Sequence, residues 1–376
     1  MSTTQCPIFV AVHVGAGRLS TAKEARYRSA CARACESAMA MLKNGEQATD
    51  AIVRAISLLE DDPITNAGLG SNFTLQGTVE CDASMMDGRT GTFGAVGAVS
   101  GIKNPITAAN KLVEKNKEGV MSLGRIPPVL LAGQGAMDWA KENGCEIVDK
   151  GALMHESSYS TYVSHMAQLY SAAAPDPVEL GHDTVGAIAI DRRGNVASGV
   201  SSGGISLKYS GRIGEAAMYG CGCWAQNSTY SSAGIACSTS GTGEQIMRTM
   251  LTSKCVARLD QETDMHKAIS DALTIDFLDS PMLQMYPDKS AGIITLRMQE
   301  TNSIPREHHF VSMIIEWNYL FCIGSLGIEF WYGHVTDSMG IGFMSETFAK
   351  PKTFISRKPC HEKLTCSGYL IPTPTL

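Results

Sequence analysis

The sequence predicts an α+β chain in which helix layers cover a central sandwich of sheets. Three observations predict it. Strands are followed by paired helical segments, and the order repeats further along the chain. The chain has 376 residues and 44% apolar composition, enough for a large core. It also holds 37 glycines, many of them clustered, which suits tight turns and close backbone approach.

Ile8–Val14 is an apolar run of strand length, closed by a turn at Gly15-Ala16-Gly17. A helix is expected from Thr21, with Thr21 and Glu24 as a capping box and Asn44-Gly45 as its stop. A second helix spans Ala48–Glu60 and is ended by Pro63. The Gly/Asn-rich loop TNAGLGSNFTLQG follows, then strands near Thr78–Cys81 and Phe93–Val99. Helical segments are expected near Pro105–Lys115 and Pro127–Asn143. From Asp149 to Glu179 small and polar residues replace periodicity, which predicts a flexible segment reaching to about residue 183. Thr184–Ile190 and Val196–Val200 are strands joined by a turn over residues 191–195. A Gly/Cys-rich loop and the turn STSGTGE lead into a helix from Glu244. A further helix near Glu262–Leu278 precedes strands at Gly292–Met298 and His309–Glu316. Trp317–Glu329 extends that last strand past ordinary length and contains Gly324 and Gly327. It is expected to be an insertion that forms a bulged loop or an exposed flap.

Composition removes several classes of function. The formal net charge is −6, and no run of Lys/Arg forms a nucleic-acid surface. No segment predicts a membrane span, and the N-terminal apolar run lacks a basic flank and is strand-sized. The expectation is an intracellular chain, in the cytoplasm or the nucleus, whose 12 cysteines are reduced. Cys31/Cys35 and Cys221/Cys223 have no matching second pair, and Cys360, His361 and Cys366 make a poor ligand set. No metal and no cofactor are therefore expected. Asn72-Phe-Thr74 and Asn227-Ser-Thr229 are glycosylation sequons by pattern only.

The chemistry centres on Asp183–Thr184 in GHDTVGAIAI. A threonine hydroxyl is a poor nucleophile until a base takes its proton. If the chain breaks before Thr184, the new α-amine supplies that base, with a pKa of about 7.7–8.0. On spacing alone, a threonine that merely opens a strand also accounts for the pattern. Ser202 ends the neighbouring strand, so its hydroxyl is expected near Thr184. Arg212 in YSGRIGEA is a planar cation able to hold a carboxylate by two hydrogen bonds. Ser240 and Gly241 lie just before a helix, where donors could face an oxyanion. Gly199-Val200-Ser201-Ser202-Gly203 matches a nucleophile elbow, but no amphipathic helix follows it.

Together these segments resemble the plant-type asparaginase family of N-terminal nucleophile hydrolases. The resemblance runs from VAVHVGAG through TNAGLGSNFTLQGTVECDASMMDG to HDTVGAIAI, SSGGISLKYSGRIG, STSGTGE and GHVTDSMGIGFMS. Within the family, GRIGEAAMYGCGCWAQN, SLGRIPP and KTFISR are most similar to the threonine aspartase branch. The resemblance implies a four-layer αββα sandwich in a single catalytic domain. It also implies a proenzyme that cuts itself into an α subunit, 1–183, and a β subunit, 184–376, forming an αβ heterodimer or a dimer of such pairs. By resemblance Thr184 is the nucleophile and Ser202 its supporting hydroxyl. Arg212 holds the substrate carboxylate, Ser240 and Gly241 form the oxyanion hole, and Gly243 belongs to the substrate site. Lys23 and Tyr27, one helical turn apart, are linked to it. Glu215 stands where small-molecule asparaginases carry an Asp for the substrate's free α-amine, so a carboxylate is retained.

The activity implied first is a threonine endopeptidase that cuts after Asp, usually before Gly. Its protein substrates would be transcription regulators, such as trithorax-type regulators and the precursor of general transcription factor two A. The alternatives are an L-asparaginase or isoaspartyl-peptidase acting on small metabolites, and an inactive scaffold.

Overall fold

A computed structural model describes residues 6–171, 183–229, 232–300 and 326–372. Strand β1 (Phe9–Gly17) shows why the fold is layered. It is buried along almost its whole length, so both faces need cover. Val10, Val12 and Val14 enter a core shared with helices, while Phe9 and Ala11 enter a second core between sheets. Strand β5 (Val185–Ile190) repeats the alternation: Ala187 and Ala189 face the helices, Ile188 and Ile190 the other sheet.

Among the described residues the strands form two sheets. The first begins with β12 (Lys352–Arg357), β11 (Ser338–Ser345), β1 and β5. It continues through β6 (Val196–Ser202), β2 (Cys81–Asp87), β3 (Thr92–Val99) and β4 (Leu130–Ala132). The second runs β13 (Thr365–Ile371), β10 (Leu326–His334), β9 (Ala291–Glu300), β8 (Gly234–Gly241) and β7 (Cys223–Gln226). Helices α1 (Glu24–Lys43), α2 (Ala48–Glu60) and α3 (Pro105–Lys117) bury their apolar stripes on the first sheet. Helices α7 (Leu251–Gln261) and α8 (Met265–Asp271), with a π-helical turn over Ala272–Leu278, cover the second. The result is the αββα sandwich that the sequence predicts. Gly186 in β5 packs closely against Ser238 of the second sheet. A Cβ there would collide with the Ser238 hydroxyl and the His13 ring.

Several expected elements differ. Thr21 and Glu24 do not cap α1: Thr21–Lys23 forms a 3-10 turn, and Glu24 pairs with Arg357 at 2.9 Å. The capping box belongs instead to α2, between Gln47 and Asp50. Strand β2 starts only at Cys81; Val79 makes an isolated bridge to Phe73. Leu130–Ala132 pairs with β3, so α4 starts at Gly133 and ends at Glu142.

The segment expected to be flexible from Asp149 carries helix α5 (Glu156–Leu169). It lacks an apolar stripe and is held by polar and ring contacts instead. Tyr159 and Tyr162 meet the Phe73 ring at 5.9 and 5.4 Å, and His165 Nδ1 lies 2.8 Å from Ser206 Oγ. Residues 172–182 lie outside the described residues.

The proposed insertion is corrected at its C-terminal end. Leu326–Glu329 opens β10, between β9 and β13. Glu329 is buried and pairs with the buried Arg297 at 2.9 Å, a charge arrangement that apolar patterning cannot reveal. Residues 309–325 lie outside the described residues. The described cysteines are free, and no described helix is long and apolar enough to cross a membrane.

Candidate active site

Thr184 immediately precedes β5, and Ser202 is the last residue of β6; the two strands pair through Val185 and Ser201. That register brings the Thr184 Oγ1 to 3.0 Å from Ser202 Oγ. Glu215 Oε1 also lies 3.0 Å from Thr184 Oγ1. All three residues are almost fully buried. Thr184 Oγ1 is placed to donate to both Ser202 Oγ and Glu215 Oε1, and its single proton serves one of them at a time. The Ser202 hydroxyl also accepts from Gly204 N at 3.0 Å.

Ser240 and Gly241 end β8, two residues before α6 (Gly243–Thr249). The Ser240 hydroxyl accepts from Thr184 N at 3.3 Å and from Ala16 N at 3.0 Å. It therefore fixes the nitrogen that would become the α-amine. Thr184, Ser202, Gly204, Ile205, Arg212, Glu215, Gly241 and Gly243 line one narrow cleft. Most residues singled out from the sequence are thus neighbours. Lys23 is not: it is exposed at the residue before α1. Tyr27 is buried in α1 and lies near the Asp183 carboxylate, not in the cleft lining.

Arg212 is not waiting open. Its Nε and Nη2 donate to Glu244 at 2.8 and 2.7 Å, a bidentate pair. Nη1 lies beside the backbones of Gly204 and Gly214, and Nη2 beside Gly243. Since Gly204 and Gly243 line the cleft, the Nη1/Nη2 edge faces it. A Cβ on Gly243 would lie 2.7 Å from Arg212 Nη2 and collide with Glu215 Oε2, so only glycine leaves room for both. Asp82 holds the arginine loop from behind by accepting from Gly214 N at 2.8 Å.

Burial pushes the Glu215 carboxyl up to about 7, and the Arg212 charge offsets part of that rise. Burial also lowers Lys208, whose Nζ donates to Gly203 O at 2.7 Å. His13, behind Thr184, is lowered to about 3 by burial and is neutral; its Nε2 lies 2.9 Å from Ser238 Oγ.

Two residues escaped the sequence reading. Asn66 Nδ2 donates to the carbonyl oxygen of Asp183 at 2.7 Å and to Gly204 O at 2.9 Å. That carbonyl is the one Thr184 would attack. The only signal was an Asn inside the glycine-rich loop TNAGLGSN. Glu244 was legible only as the last letter of STSGTGE. The Asp183 carboxylate lies against Gly15 and Gly17. Arg212 thus grips Glu244, while the Asp183 carboxylate lies elsewhere.

A threonine opening a strand at the heart of an αββα sandwich, with a hydroxyl, a carboxylate and a guanidinium around it, defines an N-terminal nucleophile hydrolase. The chain belongs to the asparaginase family of these hydrolases, whose model matches residues 6–306. It is 35% identical over 260 residues to an isoaspartyl peptidase of Escherichia coli (strain K12), covering 67% of this chain and 76% of that protein. It is 36% identical over 255 residues to an isoaspartyl peptidase/L-asparaginase of Xenopus laevis, covering 68% and 76%. A plant-type L-asparaginase of Pyrobaculum calidifontis is 34% identical over 276 residues, covering 70% and 83%.

Proposed function

We propose that this chain is a self-processing threonine amidohydrolase. It cuts its own Asp183–Thr184 bond. The freed Thr184 then hydrolyses an amide on the side-chain carbonyl of an aspartyl unit, as in asparagine or a β-aspartyl dipeptide. The carrying observation is that Arg212 and Glu215, of opposite charge, line one small cleft with Thr184 Oγ1. A free amino acid presents a carboxylate for Arg212 and an ammonium for Glu215. The names of the relatives support the same substrate class.

In self-cleavage Thr184 Oγ1 attacks the Asp183 carbonyl carbon, and Asn66 Nδ2 stabilises the developing oxyanion. The C–N bond breaks, leaving an ester that water opens. The new amine, held by Ser240, then serves as base for external substrates. The products are an α subunit, 1–183, and a β subunit, 184–376, that stay together as one catalytic domain across the paired strands β1 and β5.

The second reading is the Asp-specific endopeptidase expected first from the sequence. Asparagine and an internal Asp share one unit: a carbonyl to be attacked, two carbons, then a carboxylate. One cleft and one arginine fit both. What differs is the nitrogen: in asparagine a free ammonium on the carbon next to the carboxylate, in a peptide a neutral amide on the carbon next to the attacked carbonyl. The carboxylate at Glu215 favours the ammonium, and with the relatives it reverses the expected order. The Asp before this chain's own bond favours the peptide, as do the segments similar to threonine aspartases. Regulator proteins as substrates belong to this second reading alone. The test offers the processed protein asparagine, a β-aspartyl dipeptide and a peptide with internal Asp-Gly. Release of ammonia and of the dipeptide's amine is expected. Cutting of the Asp-Gly peptide alone would install the second reading.

A further inference from the structure

Before the chain is cut, the Thr184 nitrogen is an amide and cannot serve as a base. The base for the first reaction must therefore be another group. Among the described residues, the side-chain groups hydrogen-bonded to Thr184 Oγ1 are Ser202 Oγ and Glu215 Oε1, each at 3.0 Å. A neutral hydroxyl cannot keep the proton. The Glu215 carboxylate can, and it is nearly fully buried, so bulk water does not compete for the contact.

We propose that Glu215 is the catalytic base of self-cleavage, before it turns to the substrate in the mature site. The inference rests on the self-processing proposed above. The proton moves from Thr184 Oγ1 to Glu215 Oε1 as Oγ1 bonds to the Asp183 carbonyl carbon. The nitrogen of Thr184, three bonds from Oγ1, receives that proton as the C–N bond breaks. Glu215 is returned ionised, and the ester between Asp183 and Thr184 is left for water. Both duties need the same place: beside Oγ1 while the chain is whole, and beside the amine-bearing carbon of a substrate afterwards.

The charged and titratable groups facing Glu215 are compatible with this. Arg212 lies on the preceding loop, Asp82 on β2 and Cys221 on the following loop, with Glu244 on the far side of Arg212. Burial holds the carboxyl near 7, where a general base is effective at neutral pH.

The experiment follows self-cleavage of freshly refolded full-length chain on gels from pH 5 to 9. For the wild type the rate should rise about tenfold per pH unit and level off near 7. Glu215→Gln keeps the shape but cannot take a proton. It should cut at least about a hundredfold more slowly and lose the bend. Glu215→Asp keeps a titrating group and should be slower with the bend retained. Asp183→Asn, which removes the other carboxylate at the bond, should also retain it. The proposal is overturned if Glu215→Gln cuts within about fivefold of wild type, or is slow with the bend unchanged. It is equally overturned if the bend vanishes with Asp183. If Glu215→Gln does not fold, Glu215→Asp decides: a lost bend overturns the proposal and a retained one supports it. A wild type that never cuts would instead remove the self-processing reading beneath it, and that result is visible before any variant is compared.

Discussion

Replacing Asn66 by alanine tests polarisation of the scissile carbonyl, because its side chain donates to that oxygen. Asn66 is buried, and its side chain makes these hydrogen bonds: to Asp183 O at 2.7 Å, to Gly204 O at 2.9 Å, and from Asn72 N at 2.9 Å. The first acts on the reacting carbonyl. Loss of one such donor costs about 2.7–4 kcal/mol of barrier, a slowing of about 10²–10³. The other two tie the loop, and at roughly 0.5–1.5 kcal/mol each their loss should lower stability by about 1–3 kcal/mol. The two effects are read separately. Gel time courses give the cutting rate, and urea unfolding on a Thr184→Ala background, where no cutting occurs, gives the stability cost. Asn66→Asp keeps the shape but points a carboxylate at the developing oxyanion, so it should cut still more slowly than Asn66→Ala. Cutting by Asn66→Ala within threefold of wild type would refute the role of this contact.

Arg212→Ala should uncouple the two reactions, because in the uncut chain the guanidinium binds Glu244 and the Asp183 carboxylate lies against Gly15 and Gly17. Self-cleavage should persist, while turnover of asparagine or β-aspartyl dipeptide falls by ten- to hundredfold or more, from a charged bond of about 1.5–3 kcal/mol; equal losses in both reactions would count against it. Glu60→Gln should flatten the pH dependence of stability. Burial raises Glu60 from 4.5 to about 8 in the folded chain, so the folded state holds a proton that the unfolded state releases. Wild-type stability should therefore fall as pH rises from about 5 to 8, with Glu215 contributing in the same direction up to about 7. Melting curves at pH 5 and 8 should show a smaller drop for the variant, and an equal drop would contradict the burial argument.

Legibility in the sequence followed the physics of each signal. The buried strands and α2 were plain because a two-sided core demands continuous apolar runs and a helix demands a stripe. Thr184, Ser202, Arg212, Glu215 and Gly241 were legible as motifs, since short segments carry their local geometry. Helix α5 was hidden because its hold comes from tyrosine rings and His165, not from an apolar face. Glu329 was misassigned because its partner, Arg297, lies on another strand. Asn66 and Glu244 were missed for the same reason: their meaning arises from contacts with Asp183 and Arg212, which lie far away in the chain. Lys23 erred in the other direction. Its four-residue spacing from Tyr27 is helical, yet the helix begins only after it.

The central claim is that Thr184 becomes a chain terminus. Intact mass and N-terminal sequencing of the purified full-length protein test it most directly. The account predicts two fragments whose masses match residues 1–183 and 184–376, the second starting Thr-Val-Gly-Ala. Thr184→Ala should give one uncut chain. A wild type that remains a single chain through prolonged incubation, or a new terminus anywhere other than Thr184, would contradict it.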